Sequence, residues 1–152
     1  MGWTNPMVES GVLAASVHRF PIRVYYEDTD AAGIVYYANH LKFAERARTE
    51  MLRCLGLDHG TLRARFGLTF AVRRCLADYR APARLDDELD VLTRMTRLGG
   101  ASIDLDQRIF LDRRLLVALE LRLVLLGQEL RVARLPAELR AALLPFRADG
   151  GS

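Results

Sequence analysis

Between Leu68 and Leu126 four stretches of alternating side chains follow one another with little between them. They run from Leu68 to Tyr79, Glu88 to Arg97, Ser102 to Leu111 and Arg114 to Leu126. In the second, Leu89, Val91, Thr93 and Met95 share one side; in the third, Ile103, Leu105, Gln107, Ile109 and Leu111 do. Alternation with a period of two marks strands that bury one face. Gly99-Gly100 divides the second from the third, and Asp112-Arg113 the third from the fourth. Both are turn dipeptides suited to antiparallel neighbours. The fourth segment carries Leu115, Val117, Leu119, Leu121, Leu123 and Leu125 on one face and Leu116, Ala118, Val124 and Leu126 on the other. A strand apolar on both faces needs cover on both, which predicts help from a partner subunit.

Upstream the pattern is mixed. Phe20, Ile22, Val24 and Tyr26 alternate as a further strand, with Pro21 marking an edge or a strand start, and Gly33 makes a turn. From Ala38 the period lengthens: Leu41, Ala44, Ala47 or Arg48, Met51 and Leu55 recur at helical spacing, widened by Phe43 and Leu52. Asn39 is a candidate cap, and Gly56 a left-handed stop. Leu57 to Phe66 reads as a short second helix closed by Gly67, and Pro136 to Leu144 as a last one closed by Pro145. The order is strand, helix, then four antiparallel strands, an α+β chain in one domain. That domain spans 16–147, between a flexible segment over 1–15 and a flexible tail over 148–152.

The composition excludes several classes. A chain of 152 residues, 51% of them hydrophobic, builds one packed core and is not disordered. A net charge of +3, carried largely by Arg, suits an anionic substrate but lacks the dense basic stripe of a nucleic-acid binder. Cys54 and Cys75 form no CxxC pair, and no residues have metal-ligand spacing. Glu9, His18 and Arg19 interrupt any signal-peptide-like run, and Glu120 and Arg122 interrupt the longest apolar one. A protein of the cytoplasm, without a membrane span, is the simplest reading.

The chemistry concentrates in Tyr25 to His40. Glu27, Asp28 and Asp30 close a strand-like segment, a small-residue turn follows, and a helix begins. A carboxylate beside a helix N-terminus joins a base or nucleophile to unpaired N–H groups and partial positive charge. That combination suits reaction at a carbonyl. Asp28 and Asp30, two apart on an extended strand, would share a face.

The segment Tyr26-x-Asp28-Thr29-Asp30-x-x-Gly33-Ile34-Val35-Tyr36-Tyr37 resembles the signature of the 4-hydroxybenzoyl-CoA thioesterase family. The resemblance continues through Phe43-Ala44-Glu45-Arg46-Ala47-Arg48-Thr49-Glu50 and Tyr79-Arg80-Ala81-Pro82-Ala83-Arg84-Leu85-Asp86-Asp87, runs similar to the Tol–Pal-associated (YbgC-type) bacterial acyl-CoA thioesterases. It implies the hotdog fold: a curved five-stranded antiparallel sheet wrapped around one long central helix. It also implies homodimers joined edge to edge, often paired into homotetramers, with active sites at the dimer interface. The partners that follow are an acyl-CoA substrate, with acyl carrier protein or cell-envelope proteins as alternatives, and a location in the cytoplasm or at the inner face of the membrane. No cofactor is implied.

By the same resemblance Asp30 is the catalytic residue, acting as general base or as nucleophile. The backbone of Tyr37 is the oxyanion donor, with Gly33 allowing close approach. Many relatives read Tyr-His-Ala-x-Tyr where this chain has Tyr36-Tyr37-Ala38-Asn39-His40, so an auxiliary histidine is absent at Tyr37 and His40 is the nearest substitute. Glu45 is a second auxiliary candidate, because another branch of the fold carries its carboxylate on the helix. Arg73, Arg74, Arg80, Arg84 and Arg97 are candidates for the coenzyme A phosphates. The competing readings are a hotdog dehydratase on acyl carrier protein and a non-catalytic binding module.

Overall fold

The computed structural model describes residues 9–148, and it turns the alternating segments into one antiparallel sheet. The strands are β1 (Val12–Ala14), β2 (Val17–Arg23), β3 (Thr69–Tyr79), β4 (Glu88–Leu98), β5 (Ser102–Leu111) and β6 (Arg114–Leu126). Their order is β1-β2-β4-β5-β6-β3 in a six-stranded sheet. The helices are α1 (Asn39–Cys54), α2 (His59–Phe66) and α3 (Ala137–Leu143). None is long and apolar enough to cross a membrane.

The six strands correct the expected five. The extra one, β1, lies within the stretch expected to be flexible, where Val12 pairs with Arg19 and Ala14 with Val17. Residues 1–8 and 149–152, which hold the rest of the expected flexible ends, lie outside the described residues. Pro21 stands beyond the β1 pairing, where β2 has a free side for a residue without an N–H. The upstream strand also stops early. Tyr26–Asp28 form a turn of 3-10 helix, so Asp28 and Asp30 do not share a strand face, and Tyr26 points out of the core.

The alternation settles the core. Leu89, Val91, Thr93 and Met95 of β4 and Ile103, Leu105, Gln107 and Ile109 of β5 are all buried. In β6 the register slips between Ile109 and Phe110, so Val117 faces Ile109 while Leu115 faces Phe110. The additional residue at this bulge, Leu116, turns inward and is fully buried. Val124 is buried too. The two-faced apolarity of β6 is therefore partly answered within one chain. Strand β3, at the edge beside β6, is the one that leaves several apolar side chains exposed, Val72, Leu76 and Tyr79, while β1 at the other edge exposes Val12.

Helix α1 lays Phe43, Ala44, Ala47, Met51 and Leu52 on the sheet, against β4 and β2. Gly56, at φ +72°, ends it: Leu57 N–H donates to Leu52 C=O at 2.8 Å and Gly56 N–H to Arg53 C=O at 3.0 Å. This pair of bonds satisfies two carbonyls that the helix end leaves open. The helix is 16 residues long, α2 is 8 and α3 is 7, so the helical part is three pieces and not a single long one.

Candidate active site

The turn between β2 and α1 is held by its own carboxylates. Asp28 is buried; its Oδ2 accepts the Tyr25 N–H at 2.8 Å, and its carbonyl accepts the Tyr36 N–H at 3.0 Å and the Asn39 side-chain amide at 2.9 Å. Asn39 thus ties the turn to the helix, and α1 has no side-chain cap at its start. Asp28 serves structure. Asp30 differs: it is exposed, and its Oδ1 accepts the Ala32 N–H at 2.8 Å while its carbonyl accepts the Gly33 N–H at 3.0 Å. Gly33 sits at φ +79°, a backbone state that costs glycine little. The second carboxylate oxygen of Asp30 has no hydrogen-bond partner among the described residues.

At the helix start, Asn39, His40 and Leu41 donate their N–H groups back to the carbonyls of Tyr36, Tyr37 and Ala38, at 2.8, 3.2 and 3.1 Å. The N–H groups of Tyr37 and Ala38 have no such acceptor among the described residues. They are the orphan donors that any helix N-terminus leaves. Thr29 pairs with Val35 across the turn, so the carboxylate and these donors belong to one small structure.

A shallow depression of about 240 Å³ opens beside it, lined by Val35, Tyr37, His40, Tyr79, Arg80 and neighbours. Tyr37 meets the ring of Tyr79 edge-on at 5.7 Å. His40 lies beneath them, 2% exposed, with its ring edge-on to Phe43 at 5.7 Å and its Nδ1 without a partner among the described residues. Burial pushes its pKa down to about 4, so the imidazole is neutral near pH 7. Tyr36 adjoins Tyr37 at 4.9 Å, and the bond between them, with the charge of Asp30 as a smaller cause, raises its pKa.

The depression gathers Tyr37, His40 and Arg80, while Asp30 and Gly33 lie on the adjoining turn and do not line it, and Arg84 stands opposite Ile34 of that turn. It does not gather the rest. Arg80 already pairs with Asp78 at 2.9 Å. Arg74 and Arg97 lie on the outer sheet face around Asp104, whose carboxyl is held low chiefly by Arg122. Arg73 is exposed on β3. Glu45 is exposed farther along α1. No group of three or more His, Cys, Asp or Glu is arranged for a metal among the described residues.

One cluster escaped sequence reasoning. Gln107 is fully buried, and its Nε2 donates to the Ala44 carbonyl at 3.0 Å and to Thr93 Oγ1 at 2.9 Å. Its Oε1 accepts from Arg48 at 3.0 Å. The signal was there. Thr93 and Gln107 are the polar interruptions of two apolar stripes, and they stand opposite each other in the β4–β5 register.

With this geometry in place, comparison with known proteins identifies the lineage. The family model of the thioesterase-like superfamily matches residues 24–143. The chain belongs to that superfamily. Its relatives include the acyl-CoA thioester hydrolase YbgC of Escherichia coli O6:H1, 49% identical over 94 residues, which are 62% of this chain and 69% of the relative. The acyl-CoA thioesterase YbgC of Haemophilus influenzae is 50% identical over 90 residues, 59% of this chain and 66% of the relative. Among solved structures, a probable thioesterase from Bartonella henselae superposes with a TM-score of 0.76 at 36% identity, covering 79% of this chain and 99% of that one. The fold is the hotdog thioesterase fold, with a six-stranded sheet in this member.

Proposed function

We propose that this protein hydrolyses acyl-CoA thioesters, with Asp30 as the reacting carboxylate and the N–H groups of Tyr37 and Ala38 as the oxyanion donors. The observation that carries the reading is the pairing of an exposed, half-satisfied carboxylate with two unpaired donors across one short turn. In one route Asp30 takes a proton from water as the water oxygen adds to the carbonyl carbon. In the other its carboxylate adds directly, and water cleaves the resulting anhydride. Either way the carbonyl oxygen gains negative charge, the C–S bond breaks, and coenzyme A leaves as the thiol after taking up a proton. Donors aimed at that oxygen are worth roughly 3 kcal/mol each in comparable sites. Support for the substrate class comes from the relatives, whose names specify acyl-CoA.

We further propose that the working unit is a dimer joined through β3, in which each site borders the second chain. The free edge of the sheet is an eleven-residue strand with exposed Val72, Leu76 and Tyr79, and Tyr79 also lines the depression at Tyr37. An exposed edge of that length is ordinarily covered. The phosphates of coenzyme A would meet Arg80 and Arg84 at the rim. The reading includes one catalytic domain, which takes in β1 ahead of the expected start at residue 16, a location in the cytoplasm, and chemistry that needs no cofactor.

The hydrogen bond from Ala32 to Asp30 favours a second reading, a binding module in which Asp30 only shapes its turn. A panel of short, medium and aromatic acyl-CoA esters, followed by release of free thiol, separates the two. Turnover above background on any ester supports the hydrolase, and background rates across the whole panel support the module.

A further inference from the structure

Arg48 is held by a buried amide and forms no direct ion pair among the described residues. Both amide hydrogens of the buried Gln107 are committed, to Ala44 and Thr93, which turns its Oε1 toward Arg48. Reversing the amide would set its oxygen against the Ala44 carbonyl, so the orientation is fixed. The guanidinium gives one N–H to Gln107 and keeps four of its five donors. It forms no ion pair among the described residues. Glu45, one helical turn earlier, is exposed and acts on it only through its charge. Arg48 is half-buried, and that burial pulls it below its ordinary pKa. The charge of Glu45 offsets that desolvation only in part, since no direct ion pair is made.

Arg48 also faces open space. It lines a groove of about 240 Å³ between α1 and β3 with Thr49, Leu52, His59, Phe70 and Val72, and with the carboxylate of Glu45, whose charge a bound anion would have to displace from the guanidinium. An apolar pit bounded by Met51, Leu52, Phe70 and Leu105 adjoins the same guanidinium. The groove runs beside the exposed strand β3, and that strand ends at Tyr79 beside Tyr37. A ligand that suits it has a methylene body for the apolar wall and a planar anion for the fork of the guanidinium.

We propose that Arg48 is the specificity residue of this hydrolase, receiving the terminal carboxylate of a dicarboxylic acyl group whose methylenes lie between α1 and β3. The proposal rests on the hydrolase reading for its reaction, while the binding it predicts is independent of catalysis. Gln107 and Thr93 are then positioning residues, since they set the direction of the guanidinium and touch no substrate.

The test compares succinyl-, glutaryl- and adipoyl-CoA with butyryl-, valeryl- and hexanoyl-CoA, on the wild-type protein and on Arg48→Met and Arg48→Lys. Wild type should favour at least one dicarboxylic ester over its neutral counterpart by on the order of tenfold or more in kcat/KM, the scale of a charge-assisted bond. Arg48→Met should abolish that preference through KM and leave the neutral esters nearly unchanged. Arg48→Lys should keep part of it, because the charge stays and the fork is lost. If Arg48→Met does not fold, the Arg48→Lys comparison decides. A preference that is the same in wild type and variants, or a wild type favouring the neutral ester of every pair, overturns the proposal. If no ester is hydrolysed, calorimetric titration with adipoyl- and hexanoyl-CoA reads the subsite alone. Tighter binding of adipoyl-CoA that depends on Arg48 keeps the subsite and rejects the hydrolase, and equal binding rejects both.

Discussion

At the scale of single residues, two buried histidines make stability depend on pH. His40 has its pKa lowered from 6.5 to about 4 by burial, and His18 is lowered by the same cause against a partly compensating bond to the Ser10 carbonyl. For both, the folded state holds the proton less well than the unfolded chain. Stability is therefore full above pH 6.5 and declines as pH falls from there toward about 4, because only the unfolded chain gains the proton. For His40 the loss across that window is at most about 3 kcal/mol. Thermal melting between pH 7 and pH 5 should show a falling Tm, and His40→Phe should flatten the slope; an unchanged slope would contradict the assignment. The sequence marked His40 as a candidate, but it did not tell a surface imidazole from one under Tyr37 and Tyr79. That distinction comes from Tyr79, far along the sequence in strand β3, which no local pattern brings to the helix start. Asp28 and Asp30 illustrate the same limit. Their spacing suggested a shared strand face, while a 3-10 turn, closed by bonds among Tyr25, Tyr26, Asp28 and Thr29, sends one inward and leaves the other exposed.

At the scale of elements, local chemistry was the reliable guide. Strands β5 and β6 begin and end where the alternation and the Gly99-Gly100 and Asp112-Arg113 turns place them. Helix α1 stops at Gly56 because the left-handed state completes two bonds to helix carbonyls. A Cβ at Gly56 would meet nothing within 4 Å, so Gly56→Ala tests the backbone alone. The substitution should cost about 1–2 kcal/mol in chemical denaturation, the price of a left-handed conformation for an L-residue. A neutral result would mean that the two bonds do not hold the end. What escaped was β1. Three residues between Gly11 and Ala15 carry no period of their own, and only the pairing with β2 makes them a strand. The polar link from Thr93 through Gln107 to Arg48 was missed for a related reason: it joins two strands and a helix, and becomes visible only when their register is known.

At the scale of the molecule, the sheet has one long uncovered side. Val72 is 49% exposed and Leu76 53% exposed on the edge strand β3, whereas the sequence directed attention to β6, which the chain largely covers itself. The proposed dimer predicts that Leu76→Lys, placing a charge on that edge, shifts sedimentation toward the monomer and lowers thiol release with it. A variant that remains a dimer at full activity would remove β3 from the interface. The fold class was legible because alternating segments joined by short turns leave few packings open. The candidate site was legible only as far as Tyr25 to His40, since the groove proposed as its subsite at Arg48 is made by elements distant in sequence. The central claim is that Asp30 reacts with a thioester held by the helix-start donors, and it is tested most directly by thiol release from acyl-CoA in wild type and Asp30→Asn. Asparagine retains an oxygen for the Ala32 N–H, so the turn should persist with an unchanged Tm while the rate falls by about a hundred- to ten-thousandfold. An Asp30→Asn protein that is equally folded and hydrolyses acyl-CoA at the wild-type rate would contradict the claim.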